Sequence, residues 1–179
     1  MTTRIRRCWV AIASKRNVRI AFACAALIPA VSRAQAPDPV AAINATLDAF
    51  HRAASKADGA TYFGLFARNG VFIGTDASER WTVEQFRAYA DPHFSKGQGW
   101  TYVPRSRRVV IADIPCRCAA TFDEILDSSA YGTTRGTGTL VLENGEWKIA
   151  QYALTIPVPN DLARKIVAEI RESTNPVRH

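Results

Sequence analysis

Tyr131-Gly-Thr-Thr-Arg-Gly-Thr-Gly-Thr-Leu-Val-Leu-Glu-Asn-Gly-Glu-Trp-Lys-Ile-Ala-Gln-Tyr-Ala-Leu-Thr-Ile-Pro157 is the stretch on which the fold turns. Its two halves read as β-strands, 131–142 and 146–157, and Asn144-Gly145 between them is a strong hairpin signal, because both turn positions favour residues that accept a positive φ. Working back toward the N-terminus, 119–126 and 100–112 show the same strand-like period. Four long strands in succession form an antiparallel meander.

Upstream of residue 99 the apolar period becomes helical. Asp38-Pro39 opens a helix with a capping side chain and a proline at its first position, and Ile43, Leu47, Phe50 and Ala54 line one face of it. Asp58-Gly59 breaks that helix. A second helix carries Tyr62, Phe63, Leu65 and Phe66 and ends near Asn69-Gly70. Val71-Phe72-Ile73 and Glu79-Arg80-Trp81 make a short hairpin, and Thr82-Val-Glu-Gln85 is a capping box for a third helix that stops at Asp91-Pro92. A closing helix spans 160–172, amphipathic through Leu162, Ile166, Val167 and Ile170. Helices first and strands after predict an α+β domain, a curved antiparallel sheet covered by N-terminal helices.

The net charge of +7 does not belong to this domain. Of the 23 Lys and Arg, seven (Arg4, Arg6, Arg7, Lys15, Arg16, Arg19 and Arg33) fall in residues 1–34, which hold no acid; the rest of the chain carries 16 basic against 16 acidic residues. The basic start, the uncharged run Ile20 to Val31 and Ser32-Arg33-Ala34 have the order of a secretory signal cleaved after Ala34. The twelve-residue run is too short for a bilayer, which needs about 20 apolar residues. The expectation is an exported, periplasmic or secreted protein with no stable membrane anchor after cleavage; the alternative is an uncleaved anchor or tail. Residues 35–179 then form one domain, with its core in 40–159. A neutral exported domain also argues against nucleic acid, although Arg105-Ser-Arg-Arg108 imitates a basic stripe. Cys8 and Cys24 leave with the signal. Cys116 and Cys118 remain, either as a very tight bridge or as two incidental turn cysteines. His51, His93 and His179 lack ligand spacing to them, so no metal and no cofactor are expected.

The element order resembles the nuclear transport factor 2-like superfamily and its SnoaL-like domain. Phe72-Ile-Gly-Thr-Asp-Ala-Ser-Glu-Arg-Trp81 and Gly145-Glu-Trp-Lys-Ile149 carry the resemblance, which spans about Val40 to Pro159. It implies a cone-shaped pocket between helices and sheet, frequent dimers, and members that are enzymes or small-molecule binders. Catalytic relatives resembling ketosteroid isomerases or polyketide cyclases use buried carboxylates as bases. Their complete catalytic motifs find no match in this chain.

Strand register supplies candidate residues. A turn centred on Ser129-Ala130 places Asp123 opposite Gly136 and Glu124 opposite Arg135. On one face, Asp123 then occupies a hollow left by Gly136, Gly138 and Ala153, where burial raises a carboxyl pKa and suits it to proton transfer. Thr121 and Gln151 would position a ligand there, and Tyr62, Trp81, Tyr89 and Tyr102 would line the pocket. Asp123 could equally be structural or solvent-facing. On the other face Glu124 and Arg135 would form a structural ion pair beside Phe122, Leu126, Tyr152, Leu154 and Ile156. So apolar a face needs covering, which predicts a homodimer through it. The leading function is binding of a small, partly apolar molecule. The alternatives are a cofactor-free isomerase, cyclase or dehydratase, and an interaction module with a filled pocket.

Overall fold

A computed structural model of the chain describes residues 38–174. The signal reading of residues 1–34, with Cys8 and Cys24, lies outside the described residues. The elements are α1 (Pro39–Ser55), α2 (Gly59–Gly64), β1 (Phe66–Ile73), β2 (Arg80–Thr82), α3 (Val83–Phe94), β3 (Tyr102–Ile111), β4 (Ala119–Ser128), β5 (Gly132–Glu143), β6 (Glu146–Thr155) and α4 (Ala163–Ser173). The strands form one six-stranded sheet in the order β2-β1-β6-β5-β4-β3. The architecture is the expected α+β cone.

Local chemistry accounts for most element ends. The Asp38 side chain accepts from the Val40 amide at 3.1 Å with Pro39 at the first helical position. Thr82 and Gln85 complete both bonds of the capping box, at 3.2 and 2.9 Å. Asn144 and Gly145 sit at φ 53° and 84°, the left-handed pair that a tight hairpin demands. Two expectations shift. The third helix continues through Pro92 to Phe94, where burial of Phe94 against Tyr62 and Trp100 compensates the amide that proline lacks. The second helix ends at Gly64, because Phe66 enters the sheet opposite Ile149 of β6. β1 runs parallel to β6 and carries the β1–β2 hairpin on the sheet edge.

Strand faces differ from the sequence expectation for two physical reasons. The β4–β5 connection has three residues, Ser129 to Tyr131, with Ser128 opposite Gly132 at φ 68°. Glu124 therefore faces Gly136, and Arg135 faces Ile125. In the β5–β6 pair Leu140 opposes Ile149 but Thr139 opposes Gln151, which leaves Ala150 as a bulge. Ile149 and Tyr152, three apart, consequently point to the same buried face.

That face carries Phe122, Glu124, Leu126, Gly136, Leu140, Trp147, Ile149, Tyr152 and Leu154, all covered inside one chain by the helices. Burying a side chain of this size is worth about 1.5–3 kcal/mol. Phe122, Leu126, Tyr152 and Leu154 of the face expected to lie open are instead covered by this chain's own Ile43, Leu47 and Phe50 on α1 and Phe86 on α3, while Ile156 stays exposed. The open face of the sheet presents Thr121, Asp123, Arg135 and Gln151 instead.

Candidate functional site

The deep end of the cone is closed by polar side chains that meet on a carboxylate. Glu124 on β4 is 1% exposed and His51 on α1 is 7% exposed. His51 Nε2 and Tyr152 Oη both donate to Glu124 Oε1 at 2.8 Å, and Arg107 Nε donates to Oε2 at 2.7 Å. Arg107 Nη1 reaches on to Asp48 at 2.8 Å and to Asn44 at 3.3 Å, tying β3 to α1. Burial alone would push the Glu124 carboxyl up, but the His51 and Arg107 hydrogen bonds and charges hold it below the usual glutamate range. Attraction outweighs desolvation here, so Glu124 is a fixed anion with three donors on it. Burial and the neighbouring Glu124 charge push the Tyr152 hydroxyl well above its ordinary value, which keeps it a proton donor.

Toward the open end the walls become aromatic. A cavity of about 400 Å³ is lined by Phe72, Trp81, Phe86, Tyr89, Trp100, Tyr102, Tyr131 and Leu154, with Thr75, Glu79, Ser128 and Ser129 among its polar residues. Trp81 stacks on Tyr89 at 4.9 Å and on Phe86 at 5.5 Å. Burial and the nearby Tyr131 and Tyr89 push the Tyr102 hydroxyl up to about 12. A void of about 10 Å³ lies beneath, between His51, Tyr62 and Tyr152 on one side and Phe72, Trp100, Tyr102 and Leu154 on the other. The last four also wall the large cavity. A third hollow of about 260 Å³ opens along α1 and the start of β3, at Asp48, His51, Arg52, Ser55 and Thr101 to Pro104. Tyr102 borders all three. Among the described residues no group of three or more His, Cys, Asp or Glu side chains could hold a metal ion.

The sequence expectations fare unevenly at this site. Trp81, Tyr89 and Tyr102 line the large cavity as expected. Tyr62 lies deeper, stacked on Phe50 at 4.4 Å, and touches only the small void. Asp123, the expected base, is corrected: it is exposed on the open face of β4, between Arg108 and Thr137 of the flanking strands. Thr121 and Gln151 are likewise exposed on that face, away from the cavities. The Glu124–Arg135 pair is corrected too, since Arg135 is exposed on the outside and the partner of Glu124 is Arg107. His51 and Arg107 were missed. His51 had a signal, four residues after Leu47 on the apolar stripe of α1. Arg107 did not, because a bulge between Pro104 and Ser106 changes which residues of β3 point inward.

A sequence profile of the SnoaL-like domain matches residues 43–159. The chain belongs to the SnoaL-like domain family. The matched region includes α1 from Ile43, α2, α3 and all six strands, and thus every residue of the buried network. No curated protein matches the chain in sequence. Among solved structures, the SnoaL-like domain is similar to a nuclear transport factor 2-like protein of unknown function from Pseudomonas putida, with 13% identity and a TM-score of 0.56 over 69% of this chain and 92% of that one. It is similar to a nuclear transport factor 2-like protein from Cytophaga hutchinsonii, with 17% identity and a TM-score of 0.54 over 67% and 99%. A third, from Novosphingobium aromaticivorans and described as having a cystatin-like fold, has 11% identity and a TM-score of 0.53 over 72% and 88%. At these identities the likeness concerns the fold alone.

Proposed function

We propose that this SnoaL-like domain binds a small, planar, partly apolar molecule at the aromatic mouth of its cone. The observation that carries the reading is the cavity of about 400 Å³ with Trp81 and Tyr89 stacked in its wall. A volume of this order suits a drug-sized ligand, and aromatic walls with a few hydroxyls at the rim supply contact area and orientation. Among the described lining residues Glu79 is the one charged side chain, which favours neutral or cationic molecules over anions. Titration with indole and 2-naphthol, followed by tryptophan fluorescence and thermal shift, tests this. Binding weakened at least tenfold by Trp81→Ala is expected. Binding equally strong in Trp81→Ala, or no response up to millimolar probe, overturns the reading.

One observation favours proton transfer as a second reading: the buried carboxylate holds a histidine that borders two of the three hollows. Glu124 has its oxygens occupied by donors, so it orients and His51 exchanges the proton. An ionised carboxylate can only accept, which places the shared proton on Nε2 and leaves Nδ1 as the nitrogen for exchange. A turnover screen with His51→Gln as its control separates this from binding alone.

Export is part of the proposal, supported by the basic start and short apolar run ahead of residue 35. Among the described residues no helix is long and apolar enough to cross a membrane. N-terminal sequencing of exported material should begin at Gln35, and an intact Met1 would rule cleavage out.

A further inference from the structure

We infer that the Cys116–Cys118 disulfide is a thiol–disulfide exchange site, one that cycles between bridge and dithiol with low-molecular-weight thiols. It lies in the loop joining β3 to β4. The hairpin pairs from Tyr102 opposite Ser128, at the aromatic cavity, to Ile111 opposite Ala120, just before the bridge. The two sites therefore occupy opposite ends of one hairpin of two ten-residue strands.

Three properties distinguish this bridge from a structural one. It spans a single intervening residue, so it withdraws little conformational freedom from the open chain and closing it contributes little stability. Arg117, the residue it spans, sits at φ 47°, in the left-handed region that is costly for any residue with a Cβ. A small gain opposed by a local cost gives a bond that opens readily. The third property is access. Cys116 and Arg117 are exposed, Cys118 is half-buried, and no residue from 112 to 118 belongs to the hydrophobic core.

The surroundings also suit the reduced form. Arg117 places a positively charged residue next in sequence to both cysteines, and a thiolate is both the nucleophile and the better leaving group of the exchange. Opening the bridge need not unravel the loop. Ala112 N donates to Ala119 O at 2.9 Å and Leu142 N to Cys118 O at 2.8 Å, and neither bond involves a sulfur or fixes the φ of Arg117, which can leave the left-handed region once the bridge opens.

In the reductive direction the thiolate of an external thiol attacks the Sγ of Cys116, the more exposed residue of the pair. The S–S bond breaks, its electron pair leaves on Cys118 Sγ, and water supplies the proton. A second external thiolate then attacks the external sulfur of the mixed disulfide and releases the Cys116 thiolate. Two thiols become one external disulfide, and the bridge takes up two electrons and two protons. The reverse sequence oxidises thiols.

The test equilibrates the full chain with buffers of reduced and oxidised glutathione, then alkylates it in acid and reads the peptide holding Cys116 and Cys118 by mass spectrometry. The expected result is a reversible transition from bridge to dithiol within millimolar mixtures, with unchanged circular dichroism. Arg117→Gly removes the left-handed cost and should move the equilibrium at least about fivefold toward the bridge. A bridge that stays closed in excess reduced glutathione, a pair that stays open in oxidised glutathione, or an unshifted Arg117→Gly variant overturns the proposal. Probe binding at the aromatic cavity should be unchanged in Cys116→Ser, so failure of either proposal is visible without the other.

Discussion

His51 Nε2 and Glu124 Oε1 meet at 2.8 Å across the interior of the cone, and the contact joins helix α1 to strand β4 where both are buried. With Arg107 on the second carboxylate oxygen, the arrangement is a buried ion pair set in a hydrogen-bond network. Such a pair adds little over an apolar core of the same volume, but it is costly to break, because the surviving charge is left desolvated.

Glu124→Gln should therefore destabilise the fold by about 3 kcal/mol, since Arg107 keeps its charge and loses its best partner. The measurement is the urea midpoint with an unchanged m-value. Glu124→Leu combined with Arg107→Met should recover much of the loss, whereas Glu124→Leu alone should not. Equal stability of Glu124→Gln and wild type would mean that the network holds nothing together.

Acid should remove the same contribution. The Glu124 carboxyl titrates below its ordinary value in the folded state, so the unfolded chain takes up a proton first as the pH falls. The stabilisation is fully present above roughly pH 4.3, the ordinary glutamate value, and disappears as the pH drops through the lower folded value. Asp58, Asp76 and Glu146 are exposed and also shifted down, and they give the wild type a shallow slope of the same sign. The informative quantity is the difference between wild type and Glu124→Gln in urea unfolding from pH 6 to pH 3, which should narrow toward the acid end.

How far this site was legible depended on which structural devices leave a mark in the sequence. Asn144-Gly145 and the Thr82–Gln85 box each require particular residue types, and both are where those residues predict them. A turn centred on Ser129-Ala130 is one residue shorter than the Ser128–Gly132 turn, although Gly132, at positive φ, marks its end. That single residue moved Asp123 outside and Glu124 inside, because strand faces alternate. The bulge at Ala150 has no marker of its own, since alanine fits either face. His51 was readable from its place on the α1 stripe, whereas Arg107 was concealed by the irregularity at Arg105.

Asp123→Asn provides a direct check of that register. The side chain is exposed on the open face and touches no cavity, so stability should change by less than about 0.5 kcal/mol and probe binding should stay within twofold. A large loss in either would return Asp123 to the interior and restore the two-residue turn.

The two inward glycines of β5 should respond differently to alanine. A Cβ on Gly136 would run into the Tyr152 hydroxyl, the group that donates to Glu124. The ring can swing away at the cost of that bond, about 2 kcal/mol for a hydrogen bond to a charged group. A Cβ on Gly138 would instead meet the Gln151 carbonyl beside the Ala150 bulge, together with the Phe122 ring. Backbone cannot step aside as a side chain does, so Gly138→Ala should cost at least about 3 kcal/mol. Tyr152→Phe removes the obstructing oxygen, and in a double-mutant cycle it should absorb much of the Gly136→Ala loss while leaving the Gly138→Ala loss intact. Equal coupling at both positions would show that the glycines serve sheet curvature rather than the seating of Tyr152 on Glu124.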